Sequence, residues 1–309
     1  MLPTSGSESA VSPDAVAAQL LPTTEPPVAT VRVPRALRSI VTAAGPWMPL
    51  ALILAIGLAL RLFGFNWDDG QHLHPDERQI TFVVTKLDFP WPPDGALLLD
   101  PQASPLNPHF FSYGSLPLYL LAFVGASASR LGWLINILIG HGPISTLATW
   151  QQASAYGQIN LIGRVLSALF DTGTVALLFI LGRRLYGRAG GLIAAAGYAV
   201  TALAVQQAHF YVVDPILTFL VVLTVAVSYR AAERGSLGLS ASLGLIYGAA
   251  VATKFSAVPL ALVVLLAHLA TFDPSTKKLR WLKPERWSTA LPGLVVASVV
   301  SAITFVIVD

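Results

Sequence analysis

Six side chains carry most of the chemistry this sequence offers: Asp76 and Glu77 in the run WDDGQHLHPDER at 67–78, then Arg164, His209, Asp214 and Lys254. If the long apolar stretches are membrane spans, all six fall near one water interface, and His74 stands beside the acidic pair. A carboxylate held there can act as a general base, with a second carboxylate orienting the acceptor or its neighbours. A guanidinium binds phosphate with two parallel donors and an ammonium binds it as a point charge. Together they fit transfer from an anionic lipid: cations neutralise a phosphate leaving group while a carboxylate takes the proton of an attacking hydroxyl. A phosphate ester leaves without an acid, so one base suffices. The competing use of Asp76, Glu77, His209 and Asp214 is a divalent metal site, since hard cations take oxygen ligands. No tight D-x-D spacing favours that use.

Each residue also has a purely structural reading. Pro75 suits the first position of a helix whose N-terminus favours Asp76 and Glu77. Arg164 lies about one turn inside its span, where it can snorkel or pair with Asp171 two turns deeper. Asp171 itself reads as a structural hydrogen-bonding group, because charges within spans are costly and face the bundle. Asp214 before Pro215 reads as a helix N-cap, His209 as an interfacial belt residue, and Lys254 as a snorkelling lysine. A basic residue at an external turn is nonetheless the exception.

The elements that must position these groups follow from composition. With 309 residues, 54% hydrophobic and 11% charged, and a mean hydropathy of +0.66, the chain has too little charge to cover a soluble globule. It reads as an all-α polytopic membrane protein. The net charge of +3 resides in basic residues beside the apolar segments, where they set orientation, so no nucleic-acid partner is expected. The absence of cysteine excludes disulfides and thiolate chemistry. Residues 1–45 form an expected disordered cytoplasmic tail, its first 38 residues rich in Pro, Ser, Thr and Ala. Arg32, Arg35 and Arg38 precede what reads as a retained first span rather than a cleaved signal.

A helix needs roughly 20 apolar residues to cross a bilayer, which selects 46–65, 159–181, 190–208, 214–230, 237–254, 255–271 and 290–308 as about seven spans. The segment 115–139 is ambiguous, and charge decides it. If it does not cross, thirteen of the nineteen basic residues fall inside: Arg32, Arg35, Arg38, Arg183, Arg184, Arg188, Arg230, Arg234, Lys277, Lys278, Arg280, Lys283 and Arg286. The segment therefore reads as interfacial helices on the outer leaflet, within a large first external loop of about 66–156. A loop of that length is structured and functional rather than a connector. Residues 46–309 then make one transmembrane module, with the N-terminus cytoplasmic and the acidic loop outside. There is no P-loop, Rossmann glycine pattern, H-E-x-x-H or internal repeat.

The ordered set HPDE, YGSLPLYLL at 113–121, GRVLSALFDTGTVALLFILGRRLYG at 163–187, HFYVVDP and ATKFSA resembles the C-type glycosyltransferases. The likeness is above all to bacterial relatives of the dolichyl-phosphate-mannose protein mannosyltransferases and the aminoarabinose lipid A transferases, from about residue 46 onward. It implies inverting transfer of a sugar from a polyprenyl-phosphate donor to a protein, lipid or glycan acceptor at the outer face of the plasma (inner) membrane. By motif, Asp76 looks like the base and Glu77 its partner, Arg164 and Lys254 like donor-phosphate contacts, and Asp214, with His209, like the acidic position of the second external loop. Members of the mannosyltransferase type work without metal and oligosaccharyltransferase relatives need a divalent ion, so no cofactor is expected and a metal stays open. Family enzymes usually continue for several more spans, so the chain reads as the core module of a longer enzyme or a short form. From other classes, a non-catalytic subunit keeping the fold is the alternative. A transporter is disfavoured, because the polar residues gather at one interface rather than at midplane.

Overall fold

Backbone in hydrocarbon must satisfy its own hydrogen bonds, so apolar runs of spanning length become helices. The computed structural model describes residues 45, 47–88, 94–139, 153–273, 278–281 and 287–309. The expected tail with Arg32, Arg35 and Arg38 lies outside the described residues, as do Lys277, Lys283 and Arg286. In chain order the helices are α1 (Met48–Leu62), α2 (Pro75–Val84), α3 (Gly95–Leu98), α4 (Leu116–Ile139), α5 (Tyr156–Ala199) and α6 (Ala202–Gln207). They continue with α7 (Val213–Arg234), α8 (Leu237–Val251), a 3₁₀ turn (Phe255–Leu260), α9 (Ala261–Leu269) and α10 (Trp287–Val308).

Among the described residues four stretches are long and apolar enough to cross a membrane: Leu116–Leu138, Tyr156–Ala199, Val213–Arg234 and Ala290–Val308. Met48–Leu62, Leu237–Val251 and Phe255–Leu269 are shorter apolar helices. The protein is an all-α polytopic membrane protein; among the described residues one short antiparallel hairpin interrupts the helices, β1 (Ala270–Asp273) and β2 (Lys278–Trp281), with Ala270 opposite Trp281.

The 44-residue α5 is two helices in one, broken at Gly187, whose φ of 79° is the left-handed conformation only glycine adopts without strain. The second limb folds back on the first. Ala195 and Ala199 share a cluster with Val175 and Phe179, and Tyr198 Oη donates to Asp171 Oδ1 at 2.6 Å. This hairpin corresponds to the expected spans 159–181 and 190–208, except that the second limb stops at Ala199 and resumes as α6. The expected span 255–271 is likewise interrupted: Pro259 lies in the 3₁₀ turn that precedes α9, and the chain leaves the helix at Ala270 for the hairpin, which the sequence reading did not anticipate. The segment 115–139 is one continuous helix rather than several.

Within the spans, Arg61 of α1 is buried and donates from Nε to Asp171 Oδ2 at 2.5 Å, and from one terminal nitrogen to the carbonyls of Gly57 and Ala199 at 2.8 and 2.9 Å. Asp171 is thus a structural hydrogen-bonding group, and its cation is Arg61, not Arg164. The geometry is set by α1 running beside the first limb of α5: Trp47 meets Phe179 at one end and Arg61 meets Asp171 towards the other.

At that other end the chain reversals collect. The segment after α1, the start of α5, the turn before α7 and the turn after α8 all meet there. α2 lies across them, with Ile80, Val83 and Val84 packed against Leu118, Leu121, Ile159 and Tyr211. α4 attaches at this end: Tyr211 Oη donates to the Pro117 carbonyl at 2.7 Å, the Leu116 amide to the Ala252 carbonyl at 3.0 Å, and Ser129 meets Ser154 at 3.2 Å.

Candidate active site

His74 caps α2: its ring nitrogen accepts from the Glu77 amide at 3.4 Å, and its ring stacks on Phe210 with centroids 4.2 Å apart. Pro75 follows at the first helical turn, as the structural reading of HPDE expects. The helix start sends its two acidic side chains in opposite directions. Asp76 is exposed and Glu77 is fully buried.

Glu77 is buried because Arg164 is there to receive it. Arg164 donates from Nε to Glu77 Oε1 at 2.8 Å, from Nη2 to Glu77 Oε2 at 2.5 Å and to Asp68 Oδ2 at 2.8 Å. Nη1 donates to Asp68 Oδ1 and to the Phe65 carbonyl, both at 2.9 Å. A guanidinium has five N–H donors, and all five are committed. The Tyr211 amide also donates to Glu77 Oε1 at 2.9 Å, with Tyr211 packed where a Cβ on Gly163 would come within 2.5 Å of its ring. Asp68 is tied further by the amides of Gly70 and Leu73. The Arg164 hydrogen bonds, followed by its charge and those amides, hold the Asp68 carboxyl down at about 2 against the cost of burial.

Arg164 therefore presents no free donor to a phosphate in this structure, and Glu77 does not reach an acceptor; both build the platform on which Asp76 stands. Two carboxylates from within the fold compete with any phosphate for the same guanidinium. His209 is also occupied. Its Nδ1 lies 2.7 Å from the Val205 carbonyl and its Nε2 2.8 Å from the Phe63 carbonyl, so it clamps the segment leaving α1 to the turn before α7.

The solvent-facing groups form a second cluster. Lys254 Nζ lies 3.1 Å from Asp214 Oδ1, with both side chains partly exposed at 34% and 45%. Asp214 sits in the first turn of α7, but the N-cap is Val212, two residues before it, so Asp214 does not take the expected cap position. Lys254 is also 5.8 Å from the Tyr113 ring centroid. Burial pushes the Tyr113 phenol up, as do the nearby carboxylates of Asp76 and Asp214. Tyr113 thus joins Asp76 to the Asp214–Lys254 pair. The juncture depends on Gly114, where a Cβ would stand 2.1 Å from the Ala252 carbonyl oxygen. That close approach lets the Gly114 amide donate to Thr253 at 3.2 Å and seats Tyr113 beside the Lys254 turn.

The structure brings together Asp76, Asp214 and Lys254 through Tyr113, and places Glu77, Arg164, His74 and His209 immediately beneath or beside them. Sequence reasoning missed Asp68 and Tyr113 as members. The signal for Asp68 was the double acid of WDDG facing an arginine with room for two carboxylates; for Tyr113 it was the YGS run that packs on the Lys254 turn. Among the described residues no three His, Cys, Asp or Glu side chains converge in a metal-binding group.

Comparison with known families gives one match: the family model described as dolichyl-phosphate-mannose-protein mannosyltransferase matches residues 141–303, just over half of the chain. The matched segment holds Arg164, His209, Asp214 and Lys254, and begins after Asp76 and Glu77. No curated protein and no solved structure matches the chain.

Proposed function

Because this chain belongs to the dolichyl-phosphate-mannose-protein mannosyltransferase family, and so to the C-type membrane glycosyltransferases, we propose that it moves a sugar from a polyprenyl-phosphate donor to a hydroxyl acceptor, with inversion at the anomeric carbon. The acceptor is a protein, lipid or glycan. Asp76 takes the proton of the acceptor hydroxyl, whose oxygen attacks the anomeric carbon from the face opposite the phosphate. The bond from that carbon to the phosphate oxygen breaks, and its electron pair leaves on the polyprenyl phosphate. Lys254, released from Asp214, meets the charge that develops there. Tyr113 stands beside Asp76, close enough for the carboxylate's charge to act on the phenol. Arg164, Glu77 and Asp68 act by holding the start of α2 in place, with His74 capping it and His209 clamping the neighbouring turn.

The observation that carries this reading is the division of the acidic pair: Glu77 fully enclosed by Arg164, and Asp76, one residue earlier, facing solvent beside Tyr113 and the Lys254–Asp214 pair. A general base contributes about 10²- to 10⁴-fold, so Asp76→Asn should lose transfer from a polyprenyl-phosphate sugar by that order while keeping its melting temperature. Transfer at the wild-type rate would remove Asp76 from the role of base and return the chain to the alternative of a non-catalytic subunit. We place the site outside the plasma (inner) membrane, with α4 on the outer leaflet, because every contact of α4 described above lies at the site end of the bundle. Residues 46–309 then form the transmembrane module, with residues 66–156 as its first external loop.

A further inference from the structure

At the end of the bundle away from Asp76, a groove of about 580 Å³ runs between α1, the first limb of α5 and α7. Its walls are apolar, built from Leu50, Ile180, Leu223 and Ala226 among others. Its mouth is not: Arg183, Arg184 and Arg230 line it, with the aromatic side chains of Trp47 and Tyr229 between them. At 1.5 Å per residue, Leu223 to Arg230 on α7 lie roughly 14–24 Å along the axis from Asp214, so this is a separate site.

The three cations are not equivalent. Arg184 is paired with Glu233 and lies over the Tyr229 ring at 5.3 Å. Arg183 stacks over Trp47 at 5.3 Å, and neither it nor Arg230 forms an ion pair among the described residues. Both are exposed. Among the described residues two guanidiniums without carboxylate partners therefore stand beside an apolar channel and aromatic rings, a combination suited to the boundary between headgroups and tails. A ligand that matches all of this has an acyl tail for the walls and a phosphate for the arginines, which bind phosphate oxygens in pairs. Basic pockets between spans hold anionic headgroups in this way.

We propose that this groove is a binding site for an anionic phospholipid, its phosphodiester held by Arg183 and Arg230 and one chain lying between α1, α5 and α7. The site is distinct from the transfer site, and its occupancy stands or falls independently of Asp76.

The test is native mass spectrometry of the full chain in mild detergent, titrated separately with dioleoyl phosphatidylglycerol, dioleoyl phosphatidylcholine and a polyprenyl phosphate. Phosphatidylglycerol should bind more tightly than phosphatidylcholine. Arg183→Ala with Arg230→Ala should weaken it roughly thirtyfold, taking each arginine at the usual worth of a basic residue near a lipid surface. Ala226→Phe, which fills the channel without touching a charge, should also weaken phosphatidylglycerol. Both arginines are exposed, so the double variant should keep its elution profile and melting temperature; should Ala226→Phe fail to fold, the double variant decides alone. Equal binding of the two phospholipids, or phosphatidylglycerol binding unchanged in the double variant, would overturn the proposal. So would displacement of phosphatidylglycerol by the polyprenyl phosphate at equal concentration, which would assign the groove to the carrier lipid.

Discussion

Lys254 and Arg164 are cations at the same end of the bundle, yet only Lys254 keeps contact with water. On the proposed reading it is the one that meets the leaving phosphate. Lys254→Ala should cost about a hundredfold or more in transfer, with Lys254→Arg recovering part, as measured by kcat/KM for a polyprenyl-phosphate sugar. A loss confined to thermal stability would make the lysine merely a partner of Asp214. Asp68 gives a separate, pH-dependent expectation. Its carboxyl is held near 2 in the fold and titrates at about 4 when unfolded. Its contribution to stability is therefore complete above about pH 4 and is lost as the pH falls towards 2. Melting curves of wild type and Asp68→Asn should differ most above that range and converge below it; a gap that stays constant down to pH 3 would contradict the assigned pairing. Asp76, Glu77, Asp214 and Lys254 were all legible as residue types at one interface. What sequence could not supply was the direction each side chain takes. Adjacent acids on a helix start look alike in a string, and only the arrival of Arg164 from α5 distinguishes the one that is buried.

At the level of elements, the helical hairpin of α5 is held by Gly187 and by the Arg61–Asp171–Tyr198 group that ties it to α1. Removing one member of a buried ion pair strands the other at about 3–5 kcal/mol, whereas replacing both with apolar residues is often neutral. Arg61→Met alone should lower the melting temperature in detergent markedly, and Arg61→Met with Asp171→Leu should restore most of it. If the double replacement is as damaged as the single, the pair has a role beyond packing. The span positions were readable because hydrophobic length is a one-dimensional property. The breaks within them were not: the interruption after Ala199 and the β1–β2 hairpin depend on which neighbours receive the chain. The arginine within the first apolar stretch carried no mark of its partner, and Asp171 could be matched to Arg164 by spacing alone until α1 was seen beside α5.

The whole molecule is polarised. One end carries α2, α4 and the acid-rich site; the other carries the Gly187 turn and the lipid groove with its arginines. The proposed orientation puts the first end outside. The chain contains no cysteine, so single cysteines report cleanly. Trp133→Cys should react with a membrane-impermeant maleimide in intact cells, and a cysteine at Gly235, in the turn between α7 and α8, only after permeabilisation. Reaction of both from the same side would reverse or dismantle the topology.

The ion pair between Lys254 and Asp214 has a bearing on turnover. On the proposed reading a donor phosphate at Lys254 competes with Asp214 for the ammonium, and Asp214 remains tethered at the rim. When the sugar has gone, spent carrier and protein carboxylate compete for one ammonium, and the carboxylate has the advantage of never diffusing away. On that reading the site resets itself: the contact that competes with each incoming donor also helps expel what is left of it.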